Sequence, residues 1–227
     1  MIVHDISAGP GLLARVVGTD RSDGDFNVKL PAAQLERVRS EIAPTPWTWL
    51  NQVHGSTVVK VSEAGEHAGR DADGAVTTTP GCVLAVHTAD CAPVVIVGEG
   101  VVGIAHAGWR GIVEGVIPNT IDLVRMAGGG GPIRAYLGPC IRPGAYEFSE
   151  SDLDTVTAVV GDSARGLTAE GRPALDMGAA VSAALSSAGV DEFTDTGLDT
   201  SLDRFFSHRT RGDVQRQVTV TWIEVTP

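Results

Sequence analysis

Residues 82 to 97 read CVLAVHTADCAPVVIV, an apolar run that polar residues break in the middle. Its two alternating faces are both apolar, the pattern of a central strand buried on both sides, whereas a half-covered strand alternates apolar with polar residues. Thr88, Asp90 and Pro93 interrupt the run, and a proline does not belong inside an unbroken central strand. A buried strand interrupted by polar residues points to a site at the interruption. The fold is expected to be built around this segment.

The neighbouring segments repeat the theme. VVGIAHAGWRGIVEGVI (101–117) gives a strand from Val101 to Ala105 and a small-residue turn at HAGWRG. A helix follows with Ile112, Val113, Val116, Ile117, Ile121 and Val124 on one stripe, which Pro118 should kink or restart. WTWLNQVHGSTVVKV (47–61) reads as a pair of strands around His54 and Gly55, and EAGEHAGRDADG (63–74) as the loop to the next apolar block.

Farther out, LLARVVGT (12–19) is a short strand running into the polar loop DRSDGDFNV (20–28), which carries Arg21. PAAQLERVRSEI (31–42) spaces Leu35, Val38 and Ile42 as a helix does, opened by Pro31 and stopped by Pro44 and Pro46. GGGG (128–131) is a flexible link, and IRAYLGPC (133–140) a strand ending in a Gly-Pro turn. Helices are expected near 150–160 and 176–188, the second capped by Asp176 and ended at Gly189. In VTVTWIEV (218–225), Val218, Val220 and Trp222 alternate with Thr219 and Thr221, as in a half-buried strand. With no internal repeat and no clean linker, these elements predict one α/β domain of mixed layers spanning residues 1–227.

Composition narrows the function classes. The chain has 227 residues, enough to bury a core without disulfide staples. A formal charge of -11 argues against a nucleic-acid partner, so an anionic substrate would need a local cluster of arginines and backbone N–H groups. No stretch approaches the roughly 20 apolar residues that span a bilayer, and no basic segment precedes the first apolar residues, so the expected location is cytoplasmic. Three cysteines are too few for a disulfide framework, and each is read as packing, ligand or nucleophile. The oligomeric state is left open.

Three separated segments each end a predicted strand with a candidate metal ligand: His54 in NQVHG, Cys91 in TADCAP and His106 in AHAGWRG. Two imidazoles and a thiolate with a fourth position left for water suit a single zinc, which lowers the pKa of a bound water from ~15.7 toward about 7. Copper, with its higher intrinsic affinity, is a substitute for zinc in such a set. Taken one at a time, the histidines read more readily as hydrogen-bonded core residues and Cys91 as a small buried one. Their coincidence at three polar breaks weakens that reading. His87 is an alternative ligand, because alternation in a regular strand puts it on the face of Cys91. Spacing leaves the choice between them open.

The HAGWRG turn also places Gly108, Trp109, Arg110 and Gly111 at a helix start, where free N–H groups and Arg110 could receive an anion. Equally, the glycines could serve a tight turn while Trp109 packs and Arg110 pairs at the surface. Asp90 stands next to the candidate thiolate ligand, where it could orient a ligand, move a proton or cap a turn.

The motifs QVHG, TADCAPV, HAGWRG and LGPCI followed by YEF, with RFFSHR at 204–209, occur here in the order found in the YfiH family, and the chain resembles that family from about residue 47 to its end. The family is also called DUF152, PgeF or laccase-domain. The resemblance implies a mixed α/β layered fold akin to the catalytic domain of cytotoxic necrotizing factor. It selects His54, Cys91 and His106 over His87 as holders of one zinc ion. It implies phosphorolysis of adenosine, inosine, guanosine and methylthioadenosine, with adenosine deamination in some members, so the expected partners are purine nucleosides and phosphate. On this basis Asp90 and Arg110 are expected to be catalytic, and Arg21, Gln52 and Cys140 to touch substrate. Two departures stand out. The family's R-x-GG segment appears here as DRSDGDFN, and its Cys-Thr pair before RFFSHR as Asp199-Thr200.

The same residues bear on other functions. Multicopper oxidases need many histidines in His-x-His pairs, and this chain has six histidines and no such pair. A cysteine hydrolase would use Cys91 as nucleophile and His106 as base, unless a metal occupies the thiolate. An editing factor for peptidoglycan precursors is compatible with the motifs.

Overall fold

The computed structural model describes residues 1–43, 46–128, 131–190 and 192–226, so Pro44, read above as a helix stop, and Gly129 and Gly130 of the glycine run lie outside the described residues. In chain order the elements are β1 (Ile2–Ser7), β2 (Leu12–Gly18), α1 (Ala32–Ser40), β3 (Trp47–Asn51), β4 (Val58–Val61), β5 (Arg70–Asp71) and β6 (Gly74–Thr77). There follow β7 (Val83–Thr88), β8 (Ala92–Gly98), β9 (Val101–Ala107), α2 (Trp109–Glu114), α3 (Val116–Gly128), β10 (Arg134–Leu137) and α4 (Glu150–Val160). The chain closes with β11 (Arg165–Leu167), β12 (Pro173–Leu175), α5 (Met177–Ser187), β13 (Glu192–Asp195), α6 (His208–Arg211) and β14 (Gln217–Val225).

Residues 82–97 form two strands in two sheets rather than one interrupted strand. The first sheet has the order β1-β2-β14-β7-β3-β5 and the second β13-β10-β8-β9-β6-β4. The chain crosses between them at Ala89–Cys91, where Asp90 takes a φ of 118°. That angle is costly for any residue with a Cβ, and it is what turns the strand out of its sheet.

Alternation explains why both segments are apolar throughout. From β7, Leu84 and Val86 pack between the sheets with Val95 and Val97 of β8 and Val102 and Ile104 of β9. The opposite residues of β7, Val83 and Ala85, meet Val218, Val220, Trp47 and Phe26 on the outer face, where Val38 of α1 joins them. On the far side, Val94 and Ile96 pack under Ile117, Ile121 and Val124 of α3 and Val181 and Leu185 of α5. The layers therefore run helix, sheet, sheet, helices. Each fully buried aliphatic side chain in this core contributes roughly 1.5–3 kcal/mol.

Several expectations are refined by this layering. β3 and β4 do not pair with each other: β3 runs parallel to β7 and β4 parallel to β6, so His54 and Gly55 lie on a crossing between sheets. β14, expected to be half-buried, is covered on both faces because it is central between β2 and β7, and Thr221 satisfies its hydroxyl on the Arg15 carbonyl at 2.9 Å. The helix after HAGWRG restarts as foreseen, with Gly115 at φ 91° separating α2 from α3 and Pro118 in the first turn of α3. Asp176 caps α5 by accepting the Ala179 N–H. Strand β1 gave no signal of its own; it is an edge strand paired antiparallel to β2. Among the described residues no helix is long and apolar enough to cross a membrane.

Candidate metal centre and active site

The crossings at His54–Gly55 and Ala89–Cys91 each deliver a ligand to the same place. His54 leaves β3, Cys91 precedes β8, and His106 stands near the end of β9. The ligand atoms of His54, Cys91 and His106 lie within 4.8 Å of one another, with Cys91 Sγ 3.9 Å from His54 Nε2. The two imidazoles meet edge to face, centroids 4.9 Å apart. His54 is exposed, Cys91 half-buried and His106 buried, so the set opens on one side. Two nitrogens and a sulfur at this spacing fit one metal ion with an open position.

Asp73, by its sequence neighbours a residue of a connecting loop, organises the group. Its side chain is wholly buried, and its carboxylate accepts the backbone N–H groups of Val53, His54 and Gly55 at 3.2, 3.0 and 2.8 Å. These three bonds hold His54 at φ 61°, a left-handed conformation that a non-glycine residue adopts only when its surroundings impose it. The same carboxylate lies 2.8 Å from His106 Nδ1, and the His106 N–H donates to the Asp73 carbonyl at 2.7 Å. With Nδ1 so engaged, Nε2 of His106 is the nitrogen left for a metal. The only sequence signal was an acid immediately before Gly74, where β6 begins.

The electrostatics follow from this packing. Burial opposes charge on both Cys91 and His106, but each favours the charged form of the other, and Asp73 adds to the effect on His106. The Cys91 thiol is thereby held below its ordinary range and the His106 imidazole above its own. A thiolate is the form that binds metal. Gly108 is required by the same crowding: a Cβ there would stand 2.8 Å from His54 Cδ2 and 3.2 Å from Cys91 Sγ.

A cavity of about 540 Å³ opens from this group. Lys29, Arg110, Arg209 and Arg216 line it, with Asp90 as the one carboxylate among the described lining residues, so a strongly acidic chain presents a cationic wall here. Arg110 lies over the Trp109 ring at 4.2 Å from its centroid, and Arg209 over Tyr146 at 4.4 Å. Helix α2, whose first turn carries Arg110, is only six residues long and has no side-chain cap.

The remaining expected site residues divide. Asp90 lines the cavity with its carboxylate engaged: it accepts the Thr200 hydroxyl at 2.9 Å and the Arg209 N–H at 2.7 Å. Thr200, in the segment that departs from the family pattern, thus ties the C-terminal region to the β7–β8 crossing. Gln52 also lines the cavity, but its amide is spent on the backbone of His87, donating to the carbonyl and accepting the N–H, both at 2.8 Å. Arg21 and Cys140 are not among the residues that line the cavity. Arg21 holds Asp213 at 2.8 Å and the carbonyls of Asp203 and Phe205, because the start of the loop after β2 packs on the C-terminal segment, whereas Asn27, Val28 and Lys29 farther along the same loop line the cavity. Cys140 is fully buried, and burial pushes its thiol up to about 12, a packing residue rather than a nucleophile. Sequence reasoning passed over Tyr146, His208 and Arg209 as site residues; all three line the cavity, and all fall in the YEF and RFFSHR motifs.

A sequence-family profile described as multi-copper polyphenol oxidoreductase laccase matches residues 16–224. A protein of Xylella fastidiosa named purine nucleoside phosphorylase is 36% identical, the match covering 98% of this chain and 92% of the relative. The Escherichia coli protein named purine nucleoside phosphorylase YfiH is 34% identical, over 79% of this chain and 75% of its own length. Among solved structures, a Neisseria meningitidis protein assigned to DUF152 superposes with a TM-score of 0.80 at 26% identity, covering 98% of both chains.

Proposed function

Because the chain belongs to the YfiH/DUF152 family, matched along residues 16–224, we propose that it is a zinc-dependent purine nucleoside phosphorylase. It would cleave adenosine, inosine, guanosine and methylthioadenosine with inorganic phosphate, and deaminate adenosine at the same site. The observation that carries this reading is one cavity joining a three-ligand metal group to a wall of Lys29, Arg110, Arg209 and Arg216 in a chain of net charge -11. The names of relatives at 34–36% identity support the phosphorylase part of this reading.

In phosphorolysis an oxygen of phosphate forms a bond to C1′ of the ribose while the bond from C1′ to N9 of the purine breaks, and the departing base takes up a proton. The enzyme's work is to bring two reactants together in line and to neutralise charge. Arg110 and Arg209 are the groups suited to grip phosphate, since a guanidinium pairs two N–H groups with two phosphate oxygens. Their stacking on Trp109 and Tyr146 limits their freedom before the substrate arrives. Asp90 acts through Arg209, holding its backbone beside the cavity. His54, Cys91 and His106 would hold the zinc, which when bound supplies a Lewis acid and an acidified water.

The reading is of a single-domain cytoplasmic enzyme, in keeping with three free cysteines. A multicopper centre finds no support, because among the described residues the donors that converge are this one His-Cys-His group. The deciding experiment combines elemental analysis with an assay of adenosine and inosine, with and without phosphate. Stoichiometric zinc and phosphate-dependent release of free base are expected. A folded, zinc-loaded sample that releases no base from any purine nucleoside would overturn the reading.

A further inference from the structure

Two neutral polar side chains in the cavity wall are left without hydrogen-bond partners. His87 is 7% exposed and has neither ring nitrogen bonded; Thr88 is 2% exposed and its hydroxyl is unbonded. Both line the cavity. Buried polar atoms are nearly always paired, and each unmade bond costs folding free energy, so adjacent orphans in a substrate cavity point to a ligand that completes them.

The position of His87 is imposed, since Gln52 clamps its backbone from both sides at 2.8 Å. Its charge state is imposed too: burial, aided by the nearby Arg39, His106 and Arg216, pushes the imidazole down to about 3. A neutral imidazole offers one N–H and one lone pair, and the tautomer decides which nitrogen carries which. A threonine hydroxyl likewise donates or accepts. Such groups are poor holders of a phosphate dianion, for which Arg110 and Arg209 are at hand. They suit an uncharged heteroaromatic edge whose substituent donates in one substrate and accepts in another.

We propose that His87, with Thr88 lining the wall beside it, reads the 6-substituent edge of the purine base. The 6-amino group of adenosine donates and the 6-carbonyl of inosine and guanosine accepts, and a group that can do either serves both. Both ring nitrogens of His87 are buried, so this contact requires the ring to turn about its Cβ–Cγ bond as the base enters. This inference rests on the phosphorylase reading and names the base contact within it.

The test compares inosine, adenosine and purine riboside, which carries only hydrogen at C6, varying nucleoside and phosphate separately. The variants are His87→Leu, His87→Gln and Thr88→Val, each checked for fold by thermal melting and for bound metal. With His87→Leu, KM for inosine and adenosine should rise about ten-fold, the scale of one lost hydrogen bond, while KM for phosphate and for purine riboside moves less than about two-fold. His87→Gln, which keeps a donor and an acceptor, should recover part of the loss. Thr88→Val, nearly isosteric, should shift the same parameter and carries the test if His87→Leu does not fold. Equal loss on all three nucleosides, a change confined to phosphate, or no change would overturn the proposal. If the wild type turns over no nucleoside, calorimetric binding of inosine separates the two readings. Binding weakened by His87→Leu keeps the subsite and sinks the phosphorylase, and a wild type that binds no inosine sinks both.

Discussion

Asp73 Oδ1 lies 2.8 Å from Nδ1 of His106, and the carboxylate that makes this contact also receives three successive backbone N–H groups from the segment carrying His54. One buried side chain thus fixes the ring of one candidate ligand and the backbone of another. Cys91 is positioned by the crossing from β7 to β8, where its neighbour Asp90 accepts the Thr200 hydroxyl and the Arg209 backbone N–H.

Asp73→Asn keeps the shape of the side chain and removes its charge. It should lower metal affinity about 10–100-fold, the usual scale for losing the partner of a ligating histidine. Competition with a chromophoric chelator measures this, and unchanged affinity would show that Asp73 only supports the backbone. Asp73→Ala should cost more, because it removes the acceptor of three part-buried backbone N–H groups and the partner of the His106 ring, and a large fall in melting temperature is expected.

The ligand set is tested by alanine at each position. His54→Ala, Cys91→Ala and His106→Ala should each lose the metal in elemental analysis of purified, folded protein, while His87→Ala should keep it. Loss of metal from His87→Ala would mean that the ligand set has been misassigned.

Gly108→Ala adds one methyl group 2.8 Å from His54 Cδ2 and 3.2 Å from Cys91 Sγ. The backbone there, at φ -73°, accepts alanine without strain, so the effect should fall on the centre and leave the fold intact. Weaker metal binding with a melting temperature of the metal-free protein within a few degrees of wild type is expected. An equal loss of both would place the damage in the turn itself.

Away from the site, Asp195 supplies a dependence on pH. Burial alone would raise its pKa, but the hydrogen bonds from Arg142 and the Gly197 N–H prevail and hold it below the ordinary value of 3.8. A group depressed in the folded state contributes stability above its unfolded pKa and loses it as pH falls through the folded one. The Arg142–Asp195 pair should therefore stabilise the protein at neutral pH by about 1 kcal/mol, fading below about pH 4. Urea unfolding of Asp195→Asn at pH 7 and pH 3 checks this: the gap from wild type should be present at the first and much reduced at the second.

The sequence by itself determined the strands of the core, because period-two apolarity needs no knowledge of what covers each face, and it determined the restart of the helix at Pro118 and the cap at Asp176, which are local chemistry. It also marked His54, Cys91 and His106, since each stands at a polar break, although the family motifs were needed to prefer them to His87. The tertiary structure alone decided that residues 82–97 serve two sheets, because a left-handed φ at Asp90 is set by contacts with Thr200 and Arg209 more than a hundred residues away. It decided that Gln52 spends its amide on His87 and that Arg21 faces the C-terminal segment, for the same reason: side-chain hydrogen bonds depend on which distant backbone arrives beside them. Asp73 is the clearest case, an ordinary loop acid by its neighbours in sequence and the shared anchor of two candidate ligands once β3, β6 and β9 are folded together.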